Sequence, residues 1–248
     1  SDTANDELLS ITAAGVVSAV ATAAPGFSAI QGLAPGTGVA FGVDTETDRL
    51  ISINTTTEIG STVGSTLDHT ALAYDTIGPN LYGTFGSRLF IVDTMNSSSV
   101  FIGSTGSLAF ESLAYDAGLD VLYGVDSTQS LFSIDKATGV PTMIGTAGIV
   151  AATVGGLAYD SDNSILYGVD NSTSPDQLIM INTTNGTKIS LGDIGSFEAV
   201  KSLAYDRQAS LLYGIDRVTG QFFTIDTASG APTVIGKRLD SRGLSAQN

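Results

Sequence analysis

One phrase recurs along this chain and constrains its fold more than any other feature. Residues Ser112–Asp135 read SLAYDAGLDVLYGVDSTQSLFSID, and near-copies begin at Ser202 (SLAYDRQASLLYGIDRVTGQFFTID), Gly156 (GLAYDSDNSILYGVDNSTSPDQLIMIN) and Ala71 (ALAYDTIGPNLYGTFGSRLFIVD). A divergent copy, GLAPGTGVAFGVDTETDRLISIN, begins at Gly32. Self-similarity at a fixed period means a repeat architecture. Each copy holds four short apolar runs; in the 112–145 copy they are Leu113–Tyr115, Leu122–Val125, Leu131–Ile134 and Thr142–Ile144. Runs this short, rich in Val, Ile, Tyr and Phe and bounded by Gly, Asp and Ser, are strands. We denote them A to D. Ala137-Thr138-Gly139, Asn185-Gly186 and Ala228-Ser229-Gly230 supply hairpin turns between C and D, and the Asp closing each LAYD supplies an Asx turn between A and B.

The leucine of strand A falls at Leu33, Leu72, Leu113, Leu157 and Leu203, with gaps of 39, 41, 44 and 46 residues. Four strands in roughly 40–45 residues is the spacing of a propeller blade. Ala follows that Leu in every copy, as suits an innermost strand crowded near an axis. Strand B carries Gly at Gly42, Gly83, Gly124, Gly168 and Gly214, where a neighbouring sheet can come close. The strands read as apolar on both faces, as they must if each blade packs between two others.

The ends of the chain read as a further blade in two pieces. DTANDELLSI (2–11) aligns with DTETDRLISI (44–53), and RGLSA (242–246) matches the start of a strand A. The expectation is an all-β fold, a single six-bladed propeller over 1–248. Its segments are 1–31 (strands C and D of a composite blade), 32–70, 71–111, 112–155, 156–201 and 202–241 (five complete blades) and 242–248 (strand A of the composite). That composite blade has no LYGVD equivalent. An absent strand leaves unpaired edges, so Leu8, Ile11 and Leu244 are candidate assembly contacts through which copies of the chain pair.

Composition narrows the partners. The net charge of −15, from 25 acidic and 10 basic residues, argues against nucleic acid and anionic membranes. There is no Cys, which excludes disulfides and thiolate metal sites. Leu8 to Val43 has no charged residue, but Pro25, Pro35, several Gly and many Ser and Thr break it, so no membrane span is expected. The chain starts at Ser1 without Met or a basic leader, so an export signal, if there was one, is expected to be already gone.

Candidate chemistry is sparse. Asp75, Asp116, Asp160 and Asp206 end strand A, and Asp44, Asp126, Asp170 and Asp216 end strand B. Rings of carboxylates could hold Ca²⁺ through oxygen, yet Asp at a turn has a sufficient local reason to be there. Asp160 with Asp162, and Asp44 with Asp48, resemble the first half of a calcium loop without its central Gly and distal Glu; they are the Ca²⁺ candidates, and no other cofactor is expected. His69 is the single imidazole and reads as a surface-loop residue ahead of strand A, with no G-x-S-x-G elbow to serve. The Tyr series on strands A and B (Tyr74, Tyr115, Tyr159, Tyr205; Tyr82, Tyr123, Tyr167, Tyr213) reads as inter-blade packing with each hydroxyl reaching a polar partner. Asn54, Asn96, Asn171, Asn182 and Asn185 open N-x-S/T triplets and are glycosylation candidates.

The phrases LAYD, LYGVD and IDxxTG resemble those of secreted bacterial β-propeller repeat proteins, over essentially the whole chain. The resemblance implies an exported or surface-located protein, often assembled outside the cell. Blade 1 departs from it with Ala34-Pro35-Gly36 for Ala-Tyr-Asp, and blade 2 with Thr84-Phe85 for Val-Asp. With no catalytic set legible, the sequence leads to a non-enzymatic extracellular structural or adhesive protein that self-associates, as a filament or surface assembly. The alternative is a module binding a glycan or small ligand at the mouth of the central channel. A third reading is a calcium-dependent hydrolase or lactonase.

Overall fold

The structure is a computed structural model that describes residues 7–11, 17–22, 30–36, 39–44, 47–54, 60–65, 69–145, 153–197, 200–207, 209–216 and 222–236. Five copies of the repeat each form a four-stranded antiparallel meander. After β1 (Glu7–Ile11) and β2 (Val17–Thr22), blade 1 comprises β3 (Ile30–Pro35), β4 (Val39–Asp44), β5 (Arg49–Asn54) and β6 (Gly60–Ser65). Blade 2 comprises β7 (Ala71–Asp75), β8 (Asn80–Phe85), β9 (Arg88–Val92) and β10 (Ser99–Ser104). Blade 3 comprises β11 (Phe110–Asp116), β12 (Val121–Asp126), β13 (Leu131–Ile134) and β14 (Pro141–Gly145). Blade 4 comprises β15 (Val154–Asp160), β16 (Ile165–Asp170), β17 (Gln177–Ile181) and β18 (Lys188–Asp193). Blade 5 comprises β19 (Val200–Asp206), β20 (Leu211–Asp216), β21 (Phe222–Ile225) and β22 (Pro232–Gly236).

Turn chemistry explains why each repeat folds locally. At the end of strand C a carboxylate or carboxamide accepts the amides two and three residues on: Met95 and Asn96 to Asp93, Ala137 and Thr138 to Asp135, Thr184 and Asn185 to Asn182, Ala228 and Ser229 to Asp226. The chain then turns through a positive φ, at Gly139 (75°), Gly186 (73°) and Gly230 (76°), where a side chain would strain the backbone; blade 2 accepts Ser97 there (62°). A β-bulge follows in strand D of every blade, between residues paired to Leu50/Ile51, Leu89/Phe90, Leu131/Phe132, Leu178/Ile179 and Phe222/Phe223. The extra residue re-aims its side chain, and Val63, Ile102, Ile144 and Leu191 pack inward against the inter-blade clusters.

The core is a set of wedges between blades. Each leucine of strand A packs with the alanine of the preceding blade: Leu72 with Ala34, Leu113 with Ala73, Leu157 with Ala114, Leu203 with Ala158. The fifth wedge holds Leu33 with Ala204, joined by Ala40 and Ile215. Blade 5 thus packs directly on blade 1, and β19 lies beside β3 as every other pair of neighbouring inner strands does. Burying such a leucine is worth about 2 kcal/mol, and the five wedges close the ring.

The expected sixth blade is therefore wrong: this is an all-β propeller of five four-stranded blades. The N-terminal strands pair with each other as a separate two-stranded sheet, with β1 beside outer strand β22 rather than between blades 5 and 1. The N-terminal phrase is repeat-like without adding a blade to the ring, because the space a sixth blade needs is occupied by the Leu33–Ala204 contact. Leu8 and Ile11 lie in β1, and Leu244 lies outside the described residues.

Candidate functional site

Strand A of blades 2 to 5 carries Leu and Tyr on one face and Ala and Asp on the other, since side chains alternate. The arrangement that sets Leu on the preceding blade's Ala also sets Tyr on its Asp. Burial raises the pKa of Tyr115, Tyr159 and Tyr205, and hydrogen bonding to carboxylates raises each further: Tyr115 to Asp120 and Asp75, Tyr159 to Asp116, Tyr205 to Asp160, the last reaching about 12. The strand-B tyrosines reach the other way. Burial raises the pKa of Tyr123 and Tyr167 against the opposing hydrogen bonds to Thr183 and Thr227 of the following blades. Rings also stack across blade boundaries, Phe41 on Tyr74 at 5.7 Å between blades 1 and 2 and Tyr123 on Tyr159 at 5.6 Å between blades 3 and 4, measured between centroids. Between blades 2 and 3 a lysine takes the threonine's place. Lys136 bonds Asp75 at 2.7 Å, pairs with Asp120, and sits 4.8 Å above the Tyr115 ring.

Inside this ring of inner strands lies a cavity of about 440 Å³. Its apolar wall is formed by the leucines (Leu33, Leu72, Leu113, Leu157, Leu203) and the alanines after them. Toward the A–B hairpins it becomes polar, with Tyr74, Tyr115, Tyr159, Tyr205, Thr76, Ser161, Asp162, Asp206 and Arg207 on its wall. At the mouth the Arg207 guanidinium holds Asp162 at 2.6 Å; both are well exposed. Asp206 accepts the Ala209 amide at 3.0 Å and is partly exposed. An apolar floor with a few convergent polar groups at the rim is the ordinary form of a small-molecule site.

The wall is asymmetric. Where the other blades have Tyr and Asp, blade 1 has Pro35 and Gly36, which also line the cavity. Tyr74 of blade 2 therefore faces Gly36, on which a Cβ would stand 3.3 Å from the Tyr74 ring. Tyr74 is half-buried, against 8–9% exposure for Tyr115, Tyr159 and Tyr205.

The calcium candidates are not brought together. Asp160 spends Oδ1 on the Asp162 and Asn163 amides and Oδ2 on the Asn163 side chain. Asp162 holds Arg207. Asp44 accepts Thr47 Oγ1 at 2.8 Å, and Asp48 is an exposed residue at φ 52°. Among the described residues no three acidic or imidazole groups converge so as to hold a metal ion. Asn54, Asn96, Asn182 and Asn185 are exposed on C–D hairpins or at their start, and Asn171 is partly buried, donating to the Val200 carbonyl at 3.2 Å. His69 is not a surface residue: it is 1% exposed, bonded to Ser99 at 3.0 Å and edge-on to Phe90. It stands three residues before the strand-A leucine, the position of Phe110, Val154 and Val200, and Gly83 leaves room for its ring. Sequence reasoning also passed over Arg207. The signal was present, since LAYD is constant in blades 2 to 5 while the position after it varies (Thr76, Ala117, Ser161, Arg207). Variation beside constancy marks what faces solvent or ligand rather than the next blade.

No family model matches the chain, and no curated protein matches it. Its fold is similar to those of several solved structures. A structural-genomics protein of unknown function from Bacteroides thetaiotaomicron superposes with TM-score 0.62 at 17% identity, over 83% of this chain, which spans 57% of that one. A chain of a nidogen/laminin complex superposes with 0.63 at 17%, over 91% and 87%. XC5397 of Xanthomonas campestris, described as a gluconolactonase, superposes with 0.63 at 11%, over 96% and 88%. The PQQ-bound aldose sugar dehydrogenase of Streptomyces coelicolor superposes with 0.53 at 14%, over 84% and 81%. At these identities the likeness shows one thing. The chain is a β-propeller. It also corrects the leading functional expectation. A lactonase and a dehydrogenase are built on this fold, so the absence of a legible catalytic motif is no ground for a non-enzymatic, filament-forming structural role, and the self-assembly reading is withdrawn.

Proposed function

We propose that this propeller binds a small polyhydroxylated ligand, of the size of a monosaccharide or its lactone, in the axial cavity at the A–B hairpin face. The observation that carries the reading is the cavity itself: lined by the inner-strand leucines and by Tyr74, Asp162, Asp206 and Arg207. Phenols and carboxylates meet hydroxyls by donating and accepting hydrogen bonds, and a volume near 440 Å³ holds one sugar ring with water. The fold neighbours described as acting on gluconolactone and aldose sugars support this class of ligand. Should the bound molecule be a lactone, Asp206 is the group placed to take a proton from water.

Isothermal titration with D-glucose, D-glucono-1,5-lactone and D-gluconate tests the proposal. Saturable binding of at least one probe, weakened about tenfold in Asp206→Ala, is the expected result. In parallel, a pH-stat reads lactone opening above the solvent rate. Absence of any saturable binding removes the proposal. Export of the chain, as in the secreted bacterial propellers its phrases resemble, belongs to the same proposal, and the measurement for it is the location of the natural gene product.

A further inference from the structure

The two residues after each strand-A phrase (LAYD, or LAPG in blade 1) are Thr37-Gly38, Thr76-Ile77, Ala117-Gly118, Ser161-Asp162 and Arg207-Gln208. Only two of them are charged, and those two meet. Arg207 of blade 5 donates its Nε–H to Oδ1 of Asp162 in blade 4 at 2.7 Å, and its Nη2 stands 2.6 Å from the same oxygen. Neither charge is needed by its own hairpin. Asp160 closes the turn of blade 4 by accepting the Asp162 and Asn163 amides, and Asp206 accepts the Ala209 amide in blade 5. The pair does little for stability either, because both side chains are well exposed and an exposed ion pair gains little over water. Its position is nevertheless held. The turn at Asp160 fixes Asp162, and Ser161 Oγ accepts the Ala117 amide of blade 3 at 3.0 Å. Both partners line the axial cavity, and Arg207 is the single Lys or Arg among the described residues that do so.

We propose that the Arg207–Asp162 pair reads a vicinal diol: it binds two neighbouring hydroxyls of the ligand in the axial cavity. The proposal rests on the axial-cavity reading above and adds which groups of the ligand are recognised, and by what. Both nitrogens of Arg207 fall on one oxygen of Asp162, so Asp162 Oδ2 and Arg207 Nη1 make no hydrogen bond among the described residues. The salt link thus holds a spare acceptor beside a spare donor. A vicinal diol is the complement, with one hydroxyl donating to the carboxylate and its neighbour accepting from the guanidinium. A lone hydroxyl satisfies half of that pattern. A ligand carboxylate satisfies the donor but meets Asp162 as like charge. The pair is neutral as a whole, which suits an uncharged polyol on a chain whose net charge is −15.

Isothermal titration with D-glucose, D-glucono-1,5-lactone and the 2-deoxy and 3-deoxy analogues of each tests the proposal. Between them the two analogues break every vicinal pair of ring hydroxyls in the parent. At least one is expected to bind the wild-type chain about tenfold more weakly than its parent does. Asp162→Asn removes the charge, and Arg207→Lys removes the guanidinium fork. Each is expected to bind the parent about tenfold more weakly at the wild-type melting temperature, and to lose less than about twofold on the analogue that lacks the diol. The analogue series needs no variant and decides alone if a variant does not fold. Analogues that all bind as tightly as their parents overturn the proposal. Variants that bind the parent like the wild type overturn it too, as do variants that weaken parent and analogue by the same factor. In each of these cases the axial site stands. No saturable binding of either parent to the wild-type chain overturns both.

Discussion

Gly145, at the end of the outer strand of blade 3, lies against the backbone carbonyl of Asn185 in the C–D hairpin of blade 4, so close that no Cβ fits between them. The same contact recurs between Gly103 and Thr138, and between Gly192 and Ser229. The inner edges of the blades are held by Leu on Ala, and the outer edges by a hairpin resting on a glycine. Because the obstacle is backbone, it cannot rotate away.

Gly145→Ala is therefore expected to destabilise the fold by about 2 kcal/mol, through overpacking rather than lost burial. Urea denaturation measures it, and Gly103→Ala and Gly192→Ala should behave alike. A change within a few tenths of a kcal/mol would mean that the hairpins move apart freely.

Lys136 replaces a threonine of the repeat, since Thr94, Thr183 and Thr227 hold its position in other blades. Lys136→Met leaves the carboxylate of Asp75 buried without its cation and is expected to cost about 2 kcal/mol. Lys136→Thr should cost less, because a hydroxyl there can bond Tyr82 as Thr183 bonds Tyr123. Equal costs would show that the lysine is held by packing alone.

The carboxyls of Asp75 and Asp170 respond to acid. Burial works to raise both, but hydrogen bonds outweigh it: the Gly78 amide, Lys136 and Tyr115 at Asp75, and Lys188 and Ser172 at Asp170, so each pKa falls below the ordinary aspartate value of 3.8. A carboxyl held lower in the folded chain contributes stability that is complete above the unfolded value and lost as pH falls through the folded one. Melting temperature is expected to hold steady down to about pH 4 and to drop below it. Lys188→Met should flatten that drop. Tyr205 works in the opposite sense. Burial and its bond to Asp160 raise it to about 12, so its contribution is complete below 10 and fades as pH rises towards 12.

His69→Ala separates a buried imidazole from a surface one. A cavity at a site that is 1% exposed should cost about 2–3 kcal/mol in chemical denaturation, and His69→Phe, the residue blade 3 uses, should recover most of it. A surface residue would cost less than about 0.5 kcal/mol in either variant.

The strands, turns and blade boundaries followed from local chemistry that the sequence carries openly. Asp135 and Asn182 cap their hairpins whatever lies around them, and Leu113 with Ala114 marks an inner strand by spacing alone. The candidate site was half legible: blade 1's Pro35-Gly36 stood out against the repeat, while Arg207 and the burial of His69 did not. The number of blades was decided elsewhere. Repeat spacing defines one blade and its neighbours, but whether a ring shuts after five or six depends on the angle between sheets, which is set by whether Leu33 can reach Ala204. That contact joins residues far apart in the chain, and repeat-like phrases at the two ends carried no information about it. The axial cavity, and the side of it that blade 1 leaves open, exist only once that contact is made.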